Sequence, residues 1–352
     1  MATRTIDLFS GAGGLSLGAR LSGMEVALAV ETDRHAATTF KQNFRSARLI
    51  NKKVEETSAE DYSGYEGVEV LMAGPPCQAF STSNQRTRND SNPLNNLLFE
   101  PARIAQIIQP KWVVVENVPG LDIGSRRKYL EHLTEMLRNI GYTVSVHKLN
   151  AVMYGVPQNR TRLFVLAGPK SIEARALESR MERYQCTVRD AIQDLPSLRV
   201  GADVDELPYR SEPHSELSRS LRGSLERCTG HLVTKNNEAV IARYSHIPQS
   251  GNWSNIPPTL MQTYRDSSRC HTGIYHRLRY DGPSKVLGNF RKNMLIHPVE
   301  NRGLSIREAA RIQTFPDEFE FSGSIGKRQQ QAGNAVPPRL ARAVLSIIGD
   351  QL

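Results

Sequence analysis

A cysteine that follows an apolar run is the residue of this sequence best suited to act as a nucleophile. Cys77 lies in the stretch Gly-Pro-Pro-Cys-Gln-Ala-Phe-Ser, residues 74–81, directly after the apolar run 68–73. The run predicts a buried parallel strand, and the two prolines exclude a helix just before the cysteine. Open α/β sheets bind ligands at the carboxyl ends of their strands, which suits a reactive thiol. The alternative, a small buried apolar cysteine, stays open at this point.

One acid and two arginines have positions that suit the same site. Glu116 follows the apolar run 112–115, so it lies at the carboxyl end of a strand, one strand away from Cys77. Arg160 and Arg162 alternate, so their side chains share a face of an extended chain. The alternatives are a helix-capping or salt-bridged surface acid and ordinary surface arginines. A position directly after an apolar strand favours the functional interpretation of Glu116.

A glycine-rich turn near the start of the chain predicts a cofactor site. Gly11 and Gly13 follow a predicted strand at 6–9, and a predicted helix comes next. The following strand ends at Glu31, 18 residues after Gly13. This order is the dinucleotide-type fingerprint, in which the acid binds a ribose diol. Ser16 occupies the position of the third glycine, which weakens a pyrophosphate site and leaves open an adenosine cofactor without phosphates.

The elements that would position these residues alternate between strand and helix, which predicts a doubly wound α/β sheet. Ser305 and Glu308 predict a capping box at the start of one helix. The predicted strands span 6–9, 26–31, 68–73, 112–115, 142–149 and 163–167, and the predicted helices span 15–21, 35–43, 97–108, 126–139, 304–314 and 339–348.

Size and composition fit a soluble globular protein with two structural units. The chain has 352 residues, of which 39% are hydrophobic and 23% charged. No apolar run approaches the length of a membrane span, and the first residues lack a signal-peptide core. The four cysteines are far apart and form no Cys-x-x-Cys pair. This spacing predicts no metal site, no disulfide framework and a reducing cytoplasm.

Two stretches are typical of proteins that contact nucleic acid. Residues 82–96 are polar and predict a surface loop. After a boundary near 198, residues 260–295 combine arginines and lysines with aromatic residues, in a chain of net charge +9. This pattern favours a polyanionic partner, with a solvated basic surface as the alternative.

Six sequence blocks resemble those of the DNA (cytosine-5)-methyltransferases of bacterial restriction–modification systems. They occur in the family's order and are residues 7–14, 74–78, 116–118, 158–162, 307–316 and 333–337. The resemblance implies a Rossmann-like sheet that binds S-adenosyl-L-methionine, formed by 1–198 and 326–352, and a smaller, loop-rich DNA target-recognition domain with its hinge at 199–325. It also implies a monomer that acts on double-stranded DNA; whether a cognate endonuclease accompanies it stays open.

The resemblance also implies roles in the methylation of cytosine. Cys77 adds to C6 so that C5 can accept the methyl group. Glu116, protonated in an enclosed site, supplies a proton or hydrogen bond at N3. Arg162 contacts O2 and Arg160 steadies the site, and both favour the thiolate. The implied cofactor-binding residues are Phe9, Gly11, Gly13, Glu31, Asn334 and Val336, with lesser contacts from Pro76 and Leu97.

The target carbon is inaccessible inside a duplex, so the base must swing out into the pocket. Residues 82–96 are the predicted lid behind the extruded base, with Ser83, Arg86 and Arg88 facing DNA. The other predicted DNA-binding residues are Arg265, Arg269, Arg277 and Arg279.

The chain departs from the family's pattern at two positions. Where the family has an aspartate that contacts the adenine amino group of the cofactor, this chain has Lys53, and Glu55 or Glu56 would have to replace the contact. The segment 283–287 lacks the threonine often found there, so the details of base recognition stay open.

Three other functions share parts of the pattern. A transfer-RNA cytosine-5 methyltransferase has the same fold, but the basic region of about 198–300 favours duplex DNA. A non-catalytic DNA-binding relative would be expected to lose Cys77 or Glu116, and this chain has both. A nicotinamide-dependent enzyme would account for the glycine turn. It would leave the Pro-Pro-Cys and Glu-Asn-Val blocks without a function.

Deletion of residues 85–92 tests the predicted lid. The deletion should abolish methyl transfer to DNA and spare cofactor binding, because the lid acts on the extruded base and not on the cofactor. Turnover is measured with a labelled methyl donor, and cofactor binding by equilibrium dialysis. Equal loss of both would contradict the lid role.

Overall fold

The computed structural model describes residues 3–76, 93–262 and 273–352. The predicted site residues Cys77, Ser83, Arg86, Arg88, Arg265 and Arg269 lie outside these ranges. The chain forms two compact units, each treated separately below. Unit 1 comprises Met1–Tyr154, Thr161–Glu182 and Val336–Leu352, and unit 2 comprises Gly155–Arg160 and Arg183–Ala335. The borders between the units thus differ by 10 to 16 residues from the predicted ones at 198 and 326, and 155–160 belongs to unit 2.

A seven-stranded sheet forms the framework of unit 1. Its strands are β1 (Arg4–Leu8), β2 (Glu25–Val30), β3 (Arg48–Ile50), β4 (Val70–Ala73), β5 (Trp112–Asn117), β6 (Thr143–Asn150) and β7 (Thr161–Gly168). Their order is β3-β2-β1-β4-β5-β7-β6. The first five strands in this order are parallel, whereas β7 runs antiparallel to both β5 and β6. The predicted α/β class is confirmed, and the sheet is antiparallel only at this one edge.

Helices follow the strands of unit 1, and shorter ones occur in unit 2. They are α1 (Gly14–Leu21), α2 (Arg34–Asn43), α3 (Glu100–Ile108), α4 (Arg127–Asn139), α5 (Ala174–Glu178), α6 (Val188–Ile192), α7 (Glu216–Arg222), α8 (Glu238–Ser245), α9 (Ile306–Ile312), α10 (Ile325–Asn334) and α11 (Pro338–Gly349). The predicted start of the helix 97–108 is wrong, because a 3₁₀ helix, Pro93–Phe99, precedes α3. Pro101 lacks an N–H group and favours the first turn of a helix, which explains why α3 begins there.

The main core of unit 1 lies between the sheet and the helices α3 and α4. Alternate residues of the strands point to this side, as the period of two in a strand requires. The core residues include Leu8, Leu71, Ala73, Val113, Val115, Leu163 and Val165 from the strands, with Ile104, Ile108, Leu133 and Leu137 from the helices, and all are at most 1% exposed.

The register of the parallel strands aligns their carboxyl ends. The residues paired across the sheet, from β3 to β5, are Ile50, Val30, Leu8, Ala73 and Val115. The residues that follow them form what we call the end row: Asn51, Glu31, Phe9, Gly74 and Glu116. Backbone hydrogen bonds from Gly74 to Leu8 (3.2 Å) and from Glu31 to Ile50 (3.1 Å) continue the ladder up to this row. Strands lie about 4.8 Å apart, so the end row spans about 20 Å.

Unit 2 combines short helices with loops and a two-stranded sheet of β8 (Leu207–Pro208) and β9 (Arg227–Cys228). The predicted capping box is confirmed, since Ser305 and Glu308 bond to each other's backbone N–H at the start of α9. Arg311, on the same helix, donates to both Asp194 and Asp317 inside the unit. Within the described ranges, none of the helices combines the length and apolar character needed to cross a bilayer.

Two glycines allow α1 and α11 to pack in direct backbone contact within unit 1. A Cβ on Gly14 would lie 2.3 Å from the carbonyl oxygen of Val336, and a Cβ on Gly18 would lie 2.3 Å from the Cβ of Ala341. These distances are far below van der Waals contact, so each position requires glycine. The close packing holds the last helix against the helix that follows the glycine turn.

Replacement of Gly18 with alanine should destabilise the protein, because steric overlap with α11 outweighs the higher helix propensity of alanine. We expect the free energy of unfolding to fall by about 1–3 kcal/mol in urea denaturation. Gly326→Ala is the matched control, since its Cβ meets only the end of Arg291 at 3.9 Å. That change should leave stability equal or raise it by up to about 1 kcal/mol. Equal effects of the two changes would contradict the packing argument.

Candidate active site

The end of β5 holds the turn that leads to Cys77. Asn117 is buried; its Nδ2 donates to the carbonyl of Pro75 (3.4 Å), and its Oδ1 accepts from the N–H of Val118 (2.8 Å). A Cβ on Gly74 would lie 3.7 Å from Oε2 of Glu116. The acid therefore lies beside the segment that precedes the nucleophile candidate. Sequence patterns alone gave no sign of these contacts of Asn117, although the residue stands next to Glu116 in the same block.

Glu116 and Arg162 form an ion pair at this end of the sheet. Nε of Arg162 lies 2.7 Å from Oε1 of Glu116, and each side chain is 11% exposed. Nη1 of Arg162 also donates to the carbonyl of Thr161 (2.8 Å). An arginine at this distance stabilises the ionised form of a carboxylate. The pair thus places a charged hydrogen-bond donor and a carboxyl group in one largely buried site. Such a site is suited to hydrogen-bond the ring atoms of a polar heterocycle.

Arg160 binds the backbone at the end of α10. Its guanidinium donates to the backbone carbonyls of Gly333, Asn334 and Ala335, at 3.1–3.2 Å, and the residue is only 2% exposed. The two arginines, predicted to share a face, therefore have different tasks in the fold. Sequence spacing gives the direction of the side chains but not the groups that they meet.

The glycine turn and Glu31 form a preset cradle in unit 1. Gly11 and Gly13 have φ angles of 56° and 99°, which favour glycine. Oε2 of Glu31 accepts from the N–H of Gly11 (2.8 Å), and Oε1 accepts from the N–H of Asp33 (2.7 Å). Asn51 in turn donates to the carbonyl of Glu31 (2.6 Å). The carboxylate is thereby fixed by both of its oxygens.

This cradle fits the adenosine part of S-adenosyl-L-methionine. A carboxylate can accept about four hydrogen bonds, and Glu31 accepts from the backbone N–H groups of Gly11, Asp33 and Thr32, so it keeps acceptor capacity for a ribose hydroxyl. A Cβ on Gly11 would meet no atom within 4 Å, so the space next to the turn is open. Burial raises the pKa of Glu31, and the N–H groups of Asp33 and Gly11 oppose this rise.

Asp7, on β1 below the turn, explains the missing third glycine. Its Oδ2 accepts from the hydroxyl of Ser16 (2.6 Å), so a serine fits where the fingerprint has glycine. Oδ1 is buried without a hydrogen-bond partner. Burial raises the pKa of Asp7 to about 7, and the hydrogen bond from Ser16 limits the rise. The feature of the sequence that could have indicated this pair is Asp7, an acid inside an apolar strand nine residues before Ser16.

The remaining predicted cofactor residues are distributed over both units. Phe9 follows β1 with a left-handed φ of 56°, and Val336 packs its backbone on Gly14. Pro76 and Leu97 are half-buried in unit 1, whereas Asn334 is exposed at the end of α10 in unit 2.

Lys53 stands where the family has its adenine-binding aspartate. Its ammonium group pairs with Glu56 at 3.0 Å on the surface. Both side chains of the pair are more than half exposed. Nothing in this pairing supplies the acceptor that the aspartate gives in the family.

Arg277 was predicted to contact DNA, but the structure buries it inside unit 2. The residue is 5% exposed, and its five N–H groups donate to the carbonyls of Ile247, His297, Glu300 and Tyr244 and to the side chain of Asn301. A guanidinium with all its donors bonded inside the protein has none to offer a phosphate. Arg279 is exposed.

Comparisons with known proteins identify relatives over the full length of the chain. A family described as C-5 cytosine-specific DNA methylase matches residues 3–350. Type II methyltransferase M1.HphI of Haemophilus parahaemolyticus is 33% identical over 99% of this chain and 87% of the relative. Type II methyltransferase M.XorII of Xanthomonas oryzae pv. oryzae is 32% identical over 96% of this chain and 82% of the relative.

A solved structure extends the similarity to the fold. A putative DNA modification methyltransferase encoded within an Escherichia coli prophage aligns with a TM-score of 0.81 at 26% identity, over 99% of both chains. The Dnmt2 methyltransferase of S. pombe aligns with a TM-score of 0.64 at 15% identity, over 99% of both chains, which shows a shared fold.

The buried carboxyl of Asp7 should make stability depend on pH. Its pKa is about 7 in the folded chain, against the ordinary value of 3.8 that applies to the unfolded chain. Between these two pH values the folded chain therefore holds one more proton than the unfolded chain. Stability therefore falls as the pH rises through this window. Relative to Asp7→Asn, the unchanged protein should lose about 2–3 kcal/mol of unfolding free energy between pH 5 and pH 8.

Urea denaturation at several pH values measures this difference. Asp61→Asn is the control, because the pKa of Asp61 is lowered by the N–H of Ser58 and by Lys52, so its contribution is constant above pH 5. Parallel stability curves for the unchanged protein and Asp7→Asn would contradict the assignment.

Proposed function

The chain belongs to the C-5 cytosine-specific DNA methylases, and we propose that it methylates C5 of a cytosine extruded from a specific duplex sequence, using S-adenosyl-L-methionine. In this proposal it acts as a cytoplasmic monomer. The names of its relatives, Type II methyltransferases, support a role in a restriction–modification system, where methylation protects host DNA from a cognate endonuclease.

The observation that carries the proposal is the end row of the sheet. It contains Glu31, which would bind the ribose, and Glu116, which lies beside the segment before Cys77. S-adenosyl-L-methionine supplies an electrophilic methyl group on its sulfonium. Phe9 would pack near the adenosine, and the turn at Gly11 and Gly13 would let the cofactor approach the backbone closely. One edge of the sheet would thus hold both reactants.

Cys77 would attack as a thiolate and form a bond from sulfur to C6 of the cytosine. The electrons of the C5–C6 double bond then move into the ring toward N3, where Glu116 supplies a hydrogen bond or proton. The resulting enamine would make C5 nucleophilic enough to accept the methyl group, whose bond to the sulfonium breaks to leave a neutral thioether. Loss of the C5 proton to solvent, departure of the thiolate and return of the N3 proton to Glu116 would restore the aromatic ring and regenerate the cysteine and the acid.

Arg162 would keep Glu116 oriented and contact O2 of the base. The ion pair supports the first task, because a carboxylate bound to Nε has little rotational freedom. Entry of a neutral pyrimidine would give the acid a second partner and exclude water, which makes its protonation easier. Unit 2 would provide target recognition through exposed basic residues, of which Arg279 is a predicted contact.

Bisulfite sequencing of host DNA tests the function. A host without its own cytosine-5 methylation that expresses the chain should contain protected cytosines in one recurring sequence. Expression of Cys77→Ser at equal level should give none. Label transfer to purified tRNA instead of duplex DNA would assign the substrate to RNA, and no protected cytosine with soluble protein would refute DNA methylation.

Replacement of Glu116 with glutamine tests the acid. Glutamine has the same shape as glutamate, but its amide cannot donate a proton as an acid does. The kcat should therefore fall about 10²–10³-fold. Binding of S-adenosyl-L-homocysteine should not change, because Glu31 lies three strands away. Glu100→Gln is the matched control, since Glu100 also pairs with an arginine, Arg103 at 2.7 Å, on α3. If Glu116→Gln and Glu100→Gln had equal kcat values, Glu116 would not act at the base.

A further inference from the structure

Arg160 binds the end of a helix instead of presenting its charge to a pocket. α10 ends at Asn334, and the last carbonyls of a helix have no partner within it. Nη1 of Arg160 donates to Gly333 (3.2 Å), and Nη2 donates to Asn334 (3.2 Å) and Ala335 (3.1 Å). A cation at this end also interacts favourably with the helix dipole. Arg160 therefore caps α10 from another segment of unit 2.

Two buried glutamines extend this cap. Nε2 of Gln313 donates to the carbonyl of Ala332 (2.9 Å), one residue before those bound by Arg160. Oε1 of Gln313 accepts from Nε2 of Gln158 (2.8 Å), and Oε1 of Gln158 accepts from the N–H of Leu287 (3.3 Å). Both glutamines are fully buried. The chain of amides fixes the orientation of each one, because a reversed amide would place two donors or two acceptors together.

The backbone at Gly333, next to the cap, packs tightly against a second segment of unit 2. A Cβ on Gly333 would lie 1.8 Å from the carbonyl oxygen of Gly288, so the two segments touch through their main chains. The segment that carries Arg160 is itself anchored, since Asn159 donates to Ser284 (2.8 Å) and Ser284 donates to Pro157 (2.9 Å). The backbone at 332–335 is thus held from two sides by groups that are themselves fixed.

We propose that Arg160 and Gln313 are positioning residues that fix the backbone around Asn334 for binding of the cofactor, and that Arg160 does not contact the cytosine. This inference rests on the proposed function and on the expectation, implied by the family resemblance, that Asn334 and Val336 bind S-adenosyl-L-methionine. The chain passes from the capped residues directly to Val336, whose carbonyl packs on Gly14 at the glycine turn. Loss of the cap frees the one segment between these two fixed points, and the cofactor must then order it on binding.

Arg160→Lys tests this assignment, because lysine keeps the charge but cannot reach three carbonyls with a planar fork. The dissociation constant of S-adenosyl-L-homocysteine, measured by equilibrium dialysis without DNA, should rise about tenfold. The KM for S-adenosyl-L-methionine should rise by a similar factor, while kcat at saturating cofactor stays within about twofold. A residue that contacts the base would instead lower kcat and leave the dissociation constant unchanged, and this result would overturn the proposal.

Arg277→Lys is the matched control. Arg277 is also a buried arginine of unit 2 that donates only to neutral acceptors. Its replacement should lower the thermal midpoint but leave the dissociation constant unchanged, so that loss of stability is separated from loss of positioning. An equal rise of the dissociation constant in both variants would overturn the proposal.

Gln313→Met gives a second route if Arg160→Lys does not fold. It removes the bond to Ala332 and keeps the volume, so cofactor binding should weaken, by less than in Arg160→Lys, with kcat maintained. Unchanged cofactor binding in this variant contradicts the proposal. Failure of the unchanged protein to bind the cofactor or to methylate DNA would refute the proposed function itself. Normal binding by the unchanged protein and by both variants would refute only the positioning role.

Discussion

The parallel register of β1 to β5 is the constraint on which the rest of the site depends. It places Glu31, Phe9, Gly74 and Glu116 in one row, although they are separated by up to 107 residues of sequence. A slip of one residue in any strand would turn its side chains to the opposite face and break this row. Glu31 and Glu116 stand on strands that are three positions apart, about 14 Å. That separation gives the two acids different surroundings on one edge of the sheet.

Buried arginines explain why charge counts overstate the surface available to DNA. In unit 2, Arg277, Arg302, Arg307 and Arg311 are at most 5% exposed and bind carbonyls or carboxylates inside the fold. Their planar forks connect segments that lie far apart in the sequence. A loop-rich unit therefore needs arginines as internal connectors, and the net charge of +9 includes these residues. The exposed arginines are the remaining candidates for contacts with phosphate.

Sequence patterns predicted elements with strong periodicity and local signals, and missed contacts between distant segments. The apolar runs located β4 and β5, and Ser305 with Glu308 gave the capping box of α9, because these signals lie within a few residues. The strand β3 has three residues and α10 is mostly polar, so neither produced a pattern. The partners of Arg160 lie 173 to 175 residues away, which spacing cannot reveal. Asp7 and Ser16 are only nine residues apart, but the missing third glycine does not by itself reveal which side chain bonds to the serine in its place.

The proposed reaction requires that the sulfur atom of Cys77 bonds to the base during methyl transfer. Duplex DNA with 5-fluorocytosine at the target position tests this claim most directly, because fluorine at C5 cannot leave as a proton does and the sulfur–carbon bond persists. The account predicts a complex of protein and DNA that survives denaturing electrophoresis and is absent with Cys77→Ser. An unchanged protein that methylates ordinary duplexes but never forms this complex, or a complex that persists in Cys77→Ser, would contradict it.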